Sequence, residues 1–162
     1  MPANGIFRQP VGDERLSQIE DEPDSPAPQE KLMNLALWIV AGLLAALALS
    51  GGVTKAFMPK AKLDDLGAKS GGGWTMHASA GFVRTLGGLE ILAAIGLTLP
   101  ATLDIAPVLV PVTAVCWILL MIGAMITHAR YHQYQYVALN LVYLALAAFV
   151  AWGRFGSESF TG

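Results

Sequence analysis

Four apolar stretches, at about residues 32–57, 77–99, 105–128 and 136–153, leave this chain few ways to fold. A helix needs roughly 20 apolar residues to cross a hydrocarbon layer about 30 Å thick. Each stretch is of that order, the fourth being the shortest. Backbone N–H and C=O groups in lipid must be paired within their own segment or within a closed barrel. A barrel strand takes only about 9–11 residues of alternating character, whereas these stretches are longer and do not alternate. The expectation is therefore an all-α, integral membrane four-helix bundle, multi-pass in a cell membrane with the lipid bilayer as its first partner. Composition agrees: 14% of residues are charged, against roughly 25% in a soluble domain. A net charge of −2 and the lack of a basic patch with interleaved aromatics exclude a nucleic-acid partner.

Further readings follow from what flanks the apolar stretches. Residues 1–30 are acidic and proline-rich, with Asp13, Glu14, Glu20, Asp21, Glu22, Asp24 and Glu30 beside Pro23, Pro26 and Pro28. Such a segment has too little apolar surface to offset chain entropy, and a disordered tail is expected. It lacks the basic-then-apolar order of a signal peptide, so the first apolar stretch reads as an uncleaved signal-anchor. The membrane domain then spans residues 31–156, and 157–162 form a short tail. Its longest connection, residues 59–76, predicts an amphipathic interfacial piece followed by a flexible run at Gly71-Gly72-Gly73. Tyr131, Tyr134 and Tyr136 on one side of the fourth stretch, and Trp152 and Phe155 on the other, read as interface anchors. Lys55, Lys60, Lys62, Lys69 and Arg130 cluster on connections one and three, while the second connection has no lysine or arginine. By the positive-inside rule, connections one and three face the cytoplasm and both termini lie outside.

The most informative residues are charges where lipid should be. Arg84 and Glu90 fall inside the second stretch. A charge at a helix centre costs about 2.5–3.5 kcal/mol by insertion measurements, so such a residue is a functional-site hypothesis by default. On an ideal helix these two sit about 120° apart, too far for a local pair, so each calls for a partner on another helix. Lys55 ends the first stretch and His128 the third, both towards the cytoplasmic side. Lys55, Arg84 and His128 are expected to line one polar, ligand-binding pocket with Glu90 at its floor. Gly87 and Gly88 would admit a neighbouring helix. The alternative is a set of structural ion pairs with no ligand. Ser50-Gly51-Gly52 is either a kink that presents Lys55 from a short second helix or simply part of a helix end.

Other chemistry-bearing residues say less. Trp117, Met121, Met125 and His128 share a stripe, and histidine and methionine are haem ligand types. Core packing explains the stripe better, so neither haem nor a metal site is expected. His128 and His132 are spaced i,i+4 and would share a face if the helix continued, but the glutamate of a zinc-hydrolase motif is missing. Cys116, the single cysteine, excludes an intramolecular disulfide and reads as a small buried hydrophobe. Asp104 reads as a helix N-cap. No catalytic residue is identified.

Four motifs occur in order: Gly-Gly-Val-Thr-Lys-Ala-Phe at 51–57, Arg-Thr-Leu-Gly-Gly-Leu-Glu-Ile-Leu-Ala-Ala-Ile-Gly-Leu-Thr-Leu-Pro at 84–100, Leu-Leu-Met-Ile-Gly-Ala-Met-Ile-Thr-His at 119–128, and Asn-Leu-Val-Tyr-Leu-Ala-Leu-Ala-Ala-Phe-Val-Ala-Trp-Gly-Arg-Phe at 140–155. In these, over roughly residues 35–155, the chain resembles the DoxX-like branch of the DoxX family of small four-helix membrane proteins. Lys55, Arg84, Gly88, Glu90, Pro100 and His128 are the motif positions that carry over. The family takes its name from a subunit of a thiosulfate:quinone oxidoreductase, and relatives are associated with membrane redox and oxidative-stress complexes. The resemblance implies a redox-associated or quinone-interacting accessory subunit, with quinone as its ligand and membrane redox subunits as partners. Whether such a chain is itself an enzyme stays open. On that reading Arg84 and Lys55 would hold head-group oxygens, Glu90 would hold or shuttle a proton, and His128 would serve as a second proton group near the mouth. Two other classes compete with it. One is a structural or partner-binding membrane subunit without a small ligand. The other is a small-molecule or proton transporter, which with four helices would need a homo-oligomer.

Overall fold

A computed structural model describes residues 28–69, 73–156 and 158–159, and the expectations for residues 1–27 of the acidic tail and for Gly71-Gly72 lie outside them. Helix α1 runs Pro28–Phe57, α2 Lys60–Lys69, α3 Ala80–Thr102, α4 Leu109–Arg130 and α5 Tyr134–Phe155, with a 3-10 turn at Trp74–His77. Helices α1, α3, α4 and α5 are each long and apolar enough to cross a membrane. Twenty-two residues, the length of α4 and of α5, rise about 33 Å, enough for the hydrocarbon layer.

The four spans form a ring in which α3 lies between α1 and α4, and α5 closes back onto α1. The core is built largely of small side chains: Ala41, Ala45, Ala48, Ala93, Ala94, Ala114, Ala147 and Ala151, filled in by Leu44, Leu97, Val110 and Val150. In lipid, burial of apolar area gives helices no advantage over contact with acyl chains, so close backbone approach through small residues supplies the packing. Large apolar side chains point outward instead, among them Leu43, Leu92 and Leu141, as a lipid-facing surface requires. Trp117 and Met121 are core residues, 4% exposed each. Cys116 differs from its expected burial: it is exposed on the outer face of α4.

Helix α1 continues unbroken through Ser50-Gly51-Gly52, so Lys55 is not presented from a separate short helix. The second glycine has another use. A Cβ at Gly52 would lie 2.8 Å from the Gly87 carbonyl oxygen, and one at Gly87 would lie 2.7 Å from the Gly52 oxygen. The two backbones touch there, joining α1 to α3. Gly88 has open space around it and takes no part. Helix α1 also takes in Pro28, Gln29 and Glu30, the last three residues of the expected tail.

The short connections are set by helix ends in the left-handed region. After α3, Asp104 has φ 53°, Ile105 N–H bonds the Pro100 carbonyl at 2.9 Å and Asp104 N–H bonds the Ala101 carbonyl at 3.4 Å. This is a Schellman ending, and Asp104 terminates α3. It is not an N-cap as expected: the residue before α4 is Val108, which makes no side-chain cap. Aspartate tolerates this backbone because its short polar side chain suits turns. The same ending follows α4. His132 has φ 57°, with Gln133 N–H on the His128 carbonyl at 2.9 Å and His132 N–H on the Ala129 carbonyl at 3.1 Å. The helix therefore stops before His132, which does not share a face with His128.

Candidate functional site

Helices α1 and α3 run in opposite directions past the Gly52–Gly87 contact. Lys55 lies three residues beyond it along α1, and Glu90 three residues beyond it along α3. Helical side chains tilt towards their own N-terminus, so each of these leans back along its helix towards the other. The result is a bidentate ion pair: Lys55 Nζ donates to Glu90 Oε1 at 2.8 Å and to Oε2 at 2.7 Å. Glu90 side-chain exposure is 12% and that of Lys55 is 25%, so the carboxylate is the deeper partner. The close backbone approach is what permits the pair. It also brings Gly51 beneath it, where a Cβ would lie 3.1 Å from Glu90 Oε2.

His128 sits on the third face of this cluster, in the last turn of α4. The left-handed residue His132 turns the chain so that Gln133, 3% exposed, comes back onto it. Gln133 Oε1 and His128 Nδ1 are 2.7 Å apart. With the amide oxygen as acceptor, Nδ1 donates and neutral His128 keeps a lone pair on Nε2. The ring of Tyr136 stacks on the imidazole with centroids 5.1 Å apart, and Trp74 meets it edge-on at 6.4 Å. Among the described residues nothing bonds Nε2, the third Lys55 hydrogen or the Asn140 amide.

Two cavities meet at these groups. An inner chamber of about 470 Å³ lies between α3, α4 and α5; Glu90, Lys55, His128 and Asn140 supply its polar wall, and Phe82, Leu86, Leu119 and Met121 much of its apolar wall. An outer pocket of about 450 Å³ lies under α2 and is walled by Ser50, Gly51, Thr54, Thr75 and Gln133 with Leu63 and Leu66. Lys55, Trp74, His128 and Tyr136 belong to both.

Three of the four expected site residues, Lys55, Glu90 and His128, are thus brought to one chamber. Arg84 is not: its side chain is exposed and lines neither cavity. Glu90 faces inward, and the 120° offset turns Arg84 outward. As the fifth residue of α3, it lies about 6 Å along the axis from the helix start, within snorkelling reach of the interface. Tyr136, expected as an interface anchor, is half-buried against His128. Sequence reasoning missed Trp74, Gln133 and Asn140 as wall residues. Asn140 carried a usable sign, an amide inside an apolar span. Trp74 and Gln133 lie in connections, and only the folded turn shows their use.

The amphipathic piece expected after Pro59 is α2. Two i,i+4 pairs hold it, Lys60 Nζ to Asp64 Oδ2 at 2.6 Å and Lys69 Nζ to Asp65 Oδ2 at 2.7 Å. The Lys60 bond, with a smaller contribution from the nearby Thr75 hydroxyl, holds the Asp64 carboxyl below its usual range. Gly67 lets the helix rest on the 3-10 turn, since a Cβ there would lie 3.0 Å from Gly73 Cα.

A ring of four apolar spans, two of them joined by an ion pair, defines a multi-pass membrane helical bundle. The chain belongs to the DoxX-like family, whose family model matches residues 39–150. No curated protein and no solved structure matches it.

Proposed function

We propose that this DoxX-like chain is a redox-associated accessory subunit whose inner chamber binds the head group of a quinone. The reading is carried by one observation. A chamber of about 470 Å³ at membrane depth turns an ion pair and further uncommitted polar groups towards otherwise apolar walls. Small-ligand sites have this form, with roughly 300–1,000 Å³ of mostly apolar lining and a few convergent polar groups. A ring with two carbonyl oxygens suits it: the third Lys55 hydrogen and the Asn140 amide donate, the apolar wall takes the ring face, and Glu90 and His128 would give protons to the oxygens as a partner redox subunit supplies the electrons, and take them back on reoxidation. Arg84, facing outward, has no place in this reading. The end that carries α2 would face the cytoplasm, in keeping with its lysines and Arg130.

The test is binding of a short-chain quinone to full-length protein in nanodiscs, with lipid extraction of the purified protein for quinone that accompanies it. Lys55→Met and Asn140→Leu should each weaken binding about tenfold, a loss of roughly 1.4 kcal/mol, and Arg84→Gln should leave it unchanged. No quinone in the extract, and equal affinity in all variants, would sink the proposal.

A second reading has its own support. The Lys55–Glu90 pair ties α1 to α3 beside their closest backbone contact, as a subunit that only holds partners would need. On that reading the Lys55 variant loses thermal stability and partner recovery together, with no ligand effect.

A further inference from the structure

The Lys55–Glu90 pair stands in both cavities at once through Lys55, and what separates the outer pocket from Glu90 is Gly51. This glycine lines the outer pocket, and a Cβ on it would lie 3.1 Å from Glu90 Oε2 and 3.3 Å from Lys55 Nζ. Any side chain larger than hydrogen would occupy the approach to the carboxylate from the α2 end. The pair also leaves polar capacity unused: three ammonium hydrogens meet only two bonds, and a carboxylate has about four acceptor sites. Charged groups left short of partners at this depth need water. The outer pocket can hold it, because Ser50, Thr54, Thr75 and Gln133 place hydroxyl and amide groups around a space large enough for a cluster of waters. The inner chamber offers fewer hydroxyl and amide groups, those of Thr127, Tyr136 and Asn140.

We propose that the outer pocket is a water-filled access path to Glu90 from the α2 end of the bundle, held open by Gly51 and leading past Trp74 and His128 into the inner chamber. Water in this path hydrates the ion pair and can deliver a proton to a Glu90 oxygen, the proton coming from the aqueous phase while Lys55 keeps its own three hydrogens. The path does not depend on what the inner chamber binds. A protein that binds no quinone can still have it, and a quinone-binding protein can lack it.

Cysteine accessibility in full-length protein in nanodiscs tests the path, in a Cys116→Ala background. The probe is 2-sulfonatoethyl methanethiosulfonate, which is charged and does not enter lipid. Thr54→Cys, in the outer pocket, should react fast. Ala124→Cys, in the inner chamber, should react more slowly but at least tenfold faster than Leu92→Cys on the lipid-facing surface. Adding Gly51→Val should cut the Ala124→Cys rate at least fivefold and spare Thr54→Cys. Trp74→Ala, which widens the path without crowding the helices, should raise the Ala124→Cys rate and serves if the valine variant does not fold. The proposal is overturned if Thr54→Cys is as inert as Leu92→Cys. It is equally overturned if Ala124→Cys does not exceed Leu92→Cys, or is indifferent to both Gly51→Val and Trp74→Ala.

Discussion

The two ends of the bundle each hold a basic side chain inside an apolar span, and they treat it in opposite ways. At the α2 end, Lys55 meets a carboxylate, keeps a hydrogen to spare and borders two cavities. At the other end Arg154 is 5% exposed, donates Nη1 to the Glu158 carbonyl at 3.1 Å and lies 5.5 Å from the centroid of the Trp38 ring. Neither described cavity reaches it. Packing around it is tight: a Cβ on Gly153 would come within 2.6 Å of both Leu37 methyls. A planar guanidinium can spend a donor on a carbonyl and its face on an aromatic ring, and so it closes a helix end. A lysine cannot, and the acid that satisfies it brings polar space with it. One end fastens helices; the other keeps room.

The sharpest break in that comparison comes from the ion pair. Glu90→Leu leaves Lys55 uncompensated and should cost about 3–5 kcal/mol, whereas Lys55→Met together with Glu90→Leu should recover most of the loss. Thermal unfolding in nanodiscs would measure both, and equal losses in the single and double variants would show that the pair does not act as a unit. A smaller difference separates the glycines. Gly87→Ala presses a methyl onto two backbone groups of α1, each 2.7 Å away, and should cost about 1–3 kcal/mol. Gly153→Ala presses only on the movable ends of Leu37, so it should cost less. A reversal of that order in the same unfolding assay would break the contrast between a backbone crossing and a side-chain fit. Gly88→Ala, with open space around it, should raise stability by about 0.5–1 kcal/mol through helix propensity.

The least effect belongs to pH at α2. Asp64 is held below the usual carboxylate range by Lys60 and by the Thr75 hydroxyl. Its contribution to seating α2 is therefore fully present above the unfolded value of about 3.9 and fades as pH falls through the lowered folded value. Amide hydrogen exchange across Lys60–Lys69, corrected for intrinsic rates, should quicken only at the acid end of that window. Asp64→Asn should make exchange there independent of pH.

Much of this architecture was readable beforehand, because lipid admits so few solutions. The four spans, their class and the need of Glu90 for a partner on another helix follow from length and charge. The identity of that partner and the exclusion of Arg84 do not. They depend on the rotation of α3, which the Gly52–Gly87 contact fixes and which no count of apolar residues contains. The same holds for His132 and Asp104. Their residue types allow a left-handed backbone without demanding it, so the i,i+4 spacing of His128 and His132 suggested a shared face that the chain reversal removes. The role of Gly51 was hidden for a related reason: a glycine pair in a helix can mark a bend, a crossing or an opening, and here the helix continues unbroken with Gly52 at a crossing.

The length of α1 has one more consequence. Leu37 is level with Gly153, and from there α1 runs nine residues back to Pro28 while α5 has two left before it ends at Phe155. The seven-residue surplus raises the start of α1 about 10 Å above its neighbour. Exposed Leu32 is thereby carried past the last turn of α5, where α1 meets its surroundings without that neighbour.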